Sequence, residues 1–226
     1  MLSTLWAVIE RDIRLATRTG GHFWASLLFF TLILLLIPFA LGPNPKTLKQ
    51  FGPGLLWVAT LLTTVIGTSS LFAQDRDDGS LSLLRSSAPP LSALILAKGL
   101  SHWATTGLPL AISAPILGLS LNLSFEAIMT LALALLIGTF ALAFIGLMGA
   151  SLTLRLSHQN SVLAPLITLP LSVPILIFGV SASQEAMALS MPDIASQALL
   201  LLCATSCIMF LVGLCVAVCV LRDHGI

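Results

Sequence analysis

The sequence predicts an all-α membrane protein, with six transmembrane helices preceded by an amphipathic helix on the membrane surface. Three observations carry this prediction. Of the 226 residues, 57% are hydrophobic and only 8% charged, against about 25% charged in an ordinary soluble domain. The apolar residues gather in six long stretches joined by short loops, and a membrane-spanning helix needs about 20 such residues. The basic residues divide unevenly between alternate loops. The first observation excludes a soluble globular protein, and also disorder, which needs low hydrophobicity and high charge. A net charge of +1 does not supply the basic surface that a nucleic-acid partner requires.

Residues 2–18 form the first element. Leu2, Leu5, Trp6, Ile9, Ile13 and Ala16 recur at helical spacing, while Arg11, Arg14 and Arg18 project from the other side. An interfacial helix follows from this pattern, its arginines toward anionic headgroups and Trp6 at the interface; a contact with a cytosolic partner helix is the competing reading. Glu10, Arg11, Asp12, Arg14 and Arg18 precede any long apolar run and no AxA-like site follows, so a cleavable signal peptide is not expected. The first span is then an anchor.

The six spans are expected at about 22–41, 53–73, 92–121, 125–150, 161–181 and 194–221, making residues 1–226 a single transmembrane domain. A cytoplasmic N-terminus puts Arg11, Arg14, Arg18, Arg76, Arg85, Lys98, Arg155 and Arg222 inside and only Lys46 and Lys49 outside. The positive-inside rule therefore expects both termini in the cytoplasm. On that topology His22, His102, His158 and His224 are cytoplasmic, and Trp24, Trp103 and Trp57 sit near helix ends as interfacial aromatics.

Pro109 and Pro115 in the third span, and Pro165, Pro170 and Pro174 in the fifth, each remove a backbone donor and free a carbonyl. Kinked helices facing other helices are expected, either for packing alone or as the broken segments that transport pathways and gates use. Gly138, Gly146, Gly149 and Ala150 permit close helix contacts in the fourth span. Cys203, Cys207, Cys215 and Cys219 lie in the last span without CxxC spacing or a companion His, and read as small packing residues with no metal or redox role.

No buried constellation of ionisable groups is evident. Glu126 and Asp193 lie at the expected outer starts of spans four and six, where a carboxylate suits the helix dipole; Ser124 and Pro192 punctuate those starts. The phosphate-binding GxxxxGK motif, HExxH and GxSxG are all missing from the sequence, so ATP-driven work needs an ATPase on another chain. The densest polar segment, residues 75–88 between spans two and three, is a candidate coupling helix or loop. Asp78-Gly79 suits a turn, Ser80 a helix cap, and Leu81 and Leu84 one helix face. Asp75, Asp77, Asp78 and Arg85 add the charge of a docking surface; an ordinary solvated loop is the plain alternative. Lys98 and His102 stand one turn apart beside Trp103, where the lysine can snorkel and the histidine hydrogen-bond at the interface.

Several segments together resemble a known family. They are Gly42-Pro43-Asn44-Pro45, the run Pro53-Gly54-Leu55-Leu56-Trp57-Val58-Ala59, Asp75 through Leu81, Leu96-Ala97-Lys98, His102-Trp103 and Thr106-Gly107-Leu108-Pro109-Leu110. In this order they closely resemble the heme exporter protein B family, the permease subunits of the ABC-type system for bacterial cytochrome c maturation. One departure is Ser82, where the family pattern carries an acidic residue. The resemblance implies an ABC-2 exporter-like fold and a non-catalytic permease in the bacterial inner membrane. It implies a homodimer working with a dimer of a separate ATPase, which alone holds ATP and Mg. It further implies a heme-handling membrane protein, a small single-span subunit and, indirectly, an external heme chaperone as partners. Heme is then a transported or handled species, with no tightly bound cofactor. Pro53, Gly54, Trp57, Lys98, His102, Trp103, Gly107 and Pro109, as family-motif residues, become candidates for a partner or heme interface, and 75–88 for ATPase docking.

Two mechanisms fit. The protein conducts heme, or it couples ATP hydrolysis by its partner to release of heme-loaded chaperone; the lack of a His, Tyr or Cys series from face to face favours the second. An ATPase-independent solute carrier or channel is the alternative, and a membrane enzyme is the weakest reading because no acid, base and nucleophile converge.

Overall fold

The computed structural model describes residues 2–18, 21–42, 44–68, 71–72, 90–120, 125–154, 163–188 and 192–222. These form eight helices: α1 Leu2–Arg18, α2 Gly21–Leu41, α3 Pro45–Thr68, α4 Leu91–Thr105, α5 Gly107–Ser120, α6 Phe125–Thr153, α7 Leu163–Ala188 and α8 Pro192–Arg222. The expected coupling segment 75–88 lies outside the described residues.

Among the described residues, five helices are long and apolar enough to cross a membrane: α2, α3, α6, α7 and α8. This differs from the six expected, because the stretch 92–121 is not one helix. It divides at Thr106 into α4 and α5, of 15 and 14 residues, each shorter than a bilayer core requires. The cause is local. Pro109 has no N–H with which to continue the ladder to the carbonyl four residues back, and the Thr106 and Thr105 hydroxyls crowd the His102 carbonyl at 2.6 and 3.1 Å beside the helical Thr106 N–H bond of 2.9 Å. By contrast, α7 runs through both Pro170 and Pro174 as a single helix, with Pro170 on its exposed side.

The turn between α2 and α3 explains the Gly42-Pro43-Asn44-Pro45 string. Gly42 follows the last residue of α2 with a φ of 77°, the left-handed conformation that ends many helices and favours glycine. The Asn44 side-chain oxygen accepts the Lys46 N–H at 3.0 Å, capping α3, and Pro45 occupies the first helical position.

Helix α6 is the axis of the bundle. It packs against α3, α5, α7 and α8, and every residue from 141 to 151 is buried, as expected of a helix apolar all round. Helices α2, α7 and α8 keep large apolar side chains such as Leu35, Phe39, Ile177 and Leu211 on the outside. A bilayer solvates such a surface; water does not.

Candidate functional site

The motif residues that the structure describes converge on two places. The first is built around Trp57, which the sequence suggests is an interfacial aromatic. It is fully buried. Its indole N–H donates to the Ser183 hydroxyl at 2.9 Å, and that hydroxyl in turn donates to the Gly179 carbonyl at 2.7 Å. The ring lies against Gly138 of α6 and Gly179 of α7, where any Cβ would overlap it. Pro53 is buried one turn before Trp57, while the space beside Gly54 is open. Trp57 thus ties α3, α6 and α7 together through packing that only glycine permits.

The second place lies along α4. Lys98 does not snorkel; its side chain is only 7% exposed and pairs with Asp12 of α1, Nζ to Oδ2, at 3.2 Å. Asp12 is itself 14% exposed, and the Ser101 hydroxyl lies 3.5 Å from the same carboxylate oxygen. Arg11 holds the other oxygen of Asp12 at 2.8 Å, and Lys98 sits 5.7 Å from the centre of the Phe72 ring, within cation–π range. The expectation of no buried ionisable constellation is corrected here. Charges this far from water persist only when paired and hydrogen-bonded, and these are. Helix α1 packs chiefly on α4, leaving Trp6 68% exposed and Arg14 outward in an ion pair with Glu10; the Arg18 side chain is outside the described ones.

One turn on from Lys98, His102 is buried with its Cε1 facing Gly67 of α3, and among the described residues no hydrogen-bond partner reaches its Nε2. Trp103 is half-buried. Its N–H points to the Thr139 hydroxyl at 3.3 Å and its ring meets Phe140 edge-on, with centroids 5.5 Å apart. Phe140, Phe144 and Phe210 continue that aromatic cluster from α6 to α8. Gly107, the first residue of α5, fits between Trp103 and Thr139, and Pro109 follows half-buried.

The remaining sequence expectations divide. Gly138, Gly146 and Gly149 do receive neighbouring side chains: Trp57, Thr68 and Thr168 respectively. The four cysteines are not packing residues; all are exposed on the outer side of α8. Asp75, Asp77, Asp78, Gly79, Ser80, Leu81, Leu84 and Arg85 lie outside the described residues. Among the described residues no three His, Cys, Asp or Glu side chains gather as a metal set.

The model of the CcmB protein family matches residues 3–222. The chain belongs to the CcmB family. It is similar to proteins named heme exporter protein B: 43% identical over 225 residues to that of Bradyrhizobium diazoefficiens, covering 100% of both chains. Identity is 46% over 176 residues with the Paracoccus denitrificans protein, 78% of this chain and 80% of that one, and 42% over 189 residues with the Rhodobacter capsulatus protein, 82% and 86%. For a CcmB chain, sequence reasoning missed Asp12, Thr139, Gly179 and Ser183 as partners of the motif residues. Asp12 carried one signal: at helical spacing it falls beside the apolar face of α1 rather than among the arginines, and a carboxylate there is out of place unless a cation meets it.

Proposed function

We propose that this CcmB chain is the permease subunit of an ABC-type heme export system for c-type cytochrome biogenesis. A separate ATPase docks on residues 75–88 and supplies the ATP hydrolysis; the permease acts as a homodimer in the bacterial inner membrane, both termini cytoplasmic, and catalyses nothing itself. Helices α4 and α5 together make the sixth crossing of an ABC-2 exporter-like fold. The observation that carries the reading is the family match over residues 3–222, with relatives named heme exporter protein B along the full chain. The motor is placed on another chain because the sequence has no phosphate-binding loop of its own.

Heme is the handled species, and the mechanism favoured is release of heme-loaded chaperone from the heme-handling membrane partner. The Thr60, Thr63, Thr64 and Thr68 hydroxyls inside the bundle donate back to carbonyls of α3. Hydroxyls engaged in this way have their one donor committed to the helix backbone and offer no O–H to a passing ligand. The small single-span subunit and the external chaperone complete the set of partners.

The gene should restore c-type cytochromes in a strain lacking its own permease only when the partner ATPase is present, and tagged protein in mild detergent should co-elute with a nucleotide-binding protein. Reversing Asp75, Asp77 and Asp78 to lysine should cut that co-elution at least about tenfold. Undiminished co-elution sinks the docking assignment, and restoration without any ATPase points to an independent carrier or channel.

A further inference from the structure

The stretch 91–120 is divided not only in its backbone but also in its neighbours. Helix α4 packs mainly on α1, whereas α5 packs mainly on α6. Between them the helix is distorted for one residue at Thr106, whose φ of −114° and ψ of −61° stay in the right-handed region and whose N–H still reaches the His102 carbonyl, just ahead of the donor-less Pro109. Within the α1–α4 pair, Asp12 and Lys98 form a shielded ion pair with the Ser101 hydroxyl beside it. Breaking such a pair strands a buried charge, so it resists sliding of one helix past the other far more than apolar packing does. At the break, contacts are of a different kind: Gly67 faces His102 and Thr106 with no side chain of its own, and Gly107 rests against Trp103 and Thr139.

We propose that α1 and α4 form one arm, clamped by Asp12 and Lys98, which pivots at Thr106–Gly107 relative to the bundle of α5 and α6. Hinges of this type are a few element-terminal residues absorbing the dihedral change between bodies that keep their internal packing. Asp12 and Lys98 are positioning residues: they make α1 follow α4. Because α4 begins at Leu91, directly after residues 75–88 in the sequence, a partner seated there pulls on the arm; that clause alone rests on the docking reading above.

Paired spin labels on the full chain in detergent test the arm, with Cys203, Cys207, Cys215 and Cys219 replaced by alanine. Labels at T17C and S92C, both on exposed positions of α1 and α4, measure distances within the arm. Labels at S92C and L152C measure the arm against α6. The distance distribution of the second pair should be at least about twofold broader than that of the first, as expected when motion is concentrated at a hinge. D12N should broaden the first pair to the width of the second, and D12K with K98D should narrow it again. P109A, which restores a helical donor, should narrow the second pair and leave the first alone. Equal widths in the parent protein, an unchanged first pair in D12N, or an unchanged second pair in P109A would each overturn the arm. Adding ATP to protein bearing its co-eluted ATPase should shift the second pair only. If no ATPase co-elutes, the docking reading fails while the measurements on the chain alone still decide the arm.

Discussion

Trp57 shows what a single residue does in a membrane bundle, where lipid is as apolar as leucine and helices associate through close packing and interhelical hydrogen bonds. Its ring fills the space left by Gly138 and Gly179, and its N–H completes a relay through Ser183. The two contributions differ in size. W57A should lower stability by about 3–5 kcal/mol through the cavity it leaves, while S183A should cost under about 1 kcal/mol, the usual worth of one interhelical hydrogen bond. Thermal unfolding in detergent measures both; a larger loss in S183A than in W57A contradicts the packing account. Position 57 was legible in the sequence as part of a family motif, and Gly138 as a small-residue contact. That the two belong to one contact was not legible, because the packing of α3 against α6 brings them together; nor was the hydrogen bond to Ser183, 126 residues from the ring.

At the scale of elements, many helix ends obey local chemistry and were readable to within a few residues, whereas α3 starts at Pro45 rather than 53 and α7 runs to Ala188 rather than 181. Residues 2–18 emerge as α1 with the expected boundaries. The Asn44 cap and the Gly42 turn follow from the residue types in the Gly42–Pro45 string. Helix continuity through proline was harder to read. Pro170 and Pro174 leave α7 whole, whereas the chain breaks ahead of Pro109, where Thr105, Thr106 and Gly107 add hydroxyls that compete for carbonyls and a residue that weakens helix. Two glycines, Gly54 inside α3 and Gly107 at the start of α5, should respond oppositely to alanine. G54A meets no atom within 4 Å and should stabilise by up to about 1 kcal/mol from helix propensity. In G107A the new Cβ would lie 2.6 Å from Trp103 Cδ1 and 2.9 Å from Thr139 Cβ, an overpacking that should destabilise by about 1–3 kcal/mol. Melting temperatures moving in the same direction for both variants would refute this difference in environment.

Among the described residues of the spans, polar side chains such as Thr60, Thr139 and Ser172 lie inside and a broad apolar surface faces outward. The exposed α8 cysteines belong to that outer surface. Replacing all four by alanine should change stability by no more than about 0.5 kcal/mol each, as for surface positions without special contacts; a collective loss near that of W57A in the same unfolding assay would place them in an interface. Composition and hydropathy by themselves determined that the chain is helical, membrane-embedded and built from about this set of helices, because lipid requires every backbone group to be satisfied within a helix. Only the tertiary structure decided which polar groups meet. Asp12 and Lys98 stand 86 residues apart and look, one at a time, like surface charges. Their pairing depends on how α1 lies against α4, and a low-dielectric interior makes that one placement decisive, since either charge left alone there would be untenable.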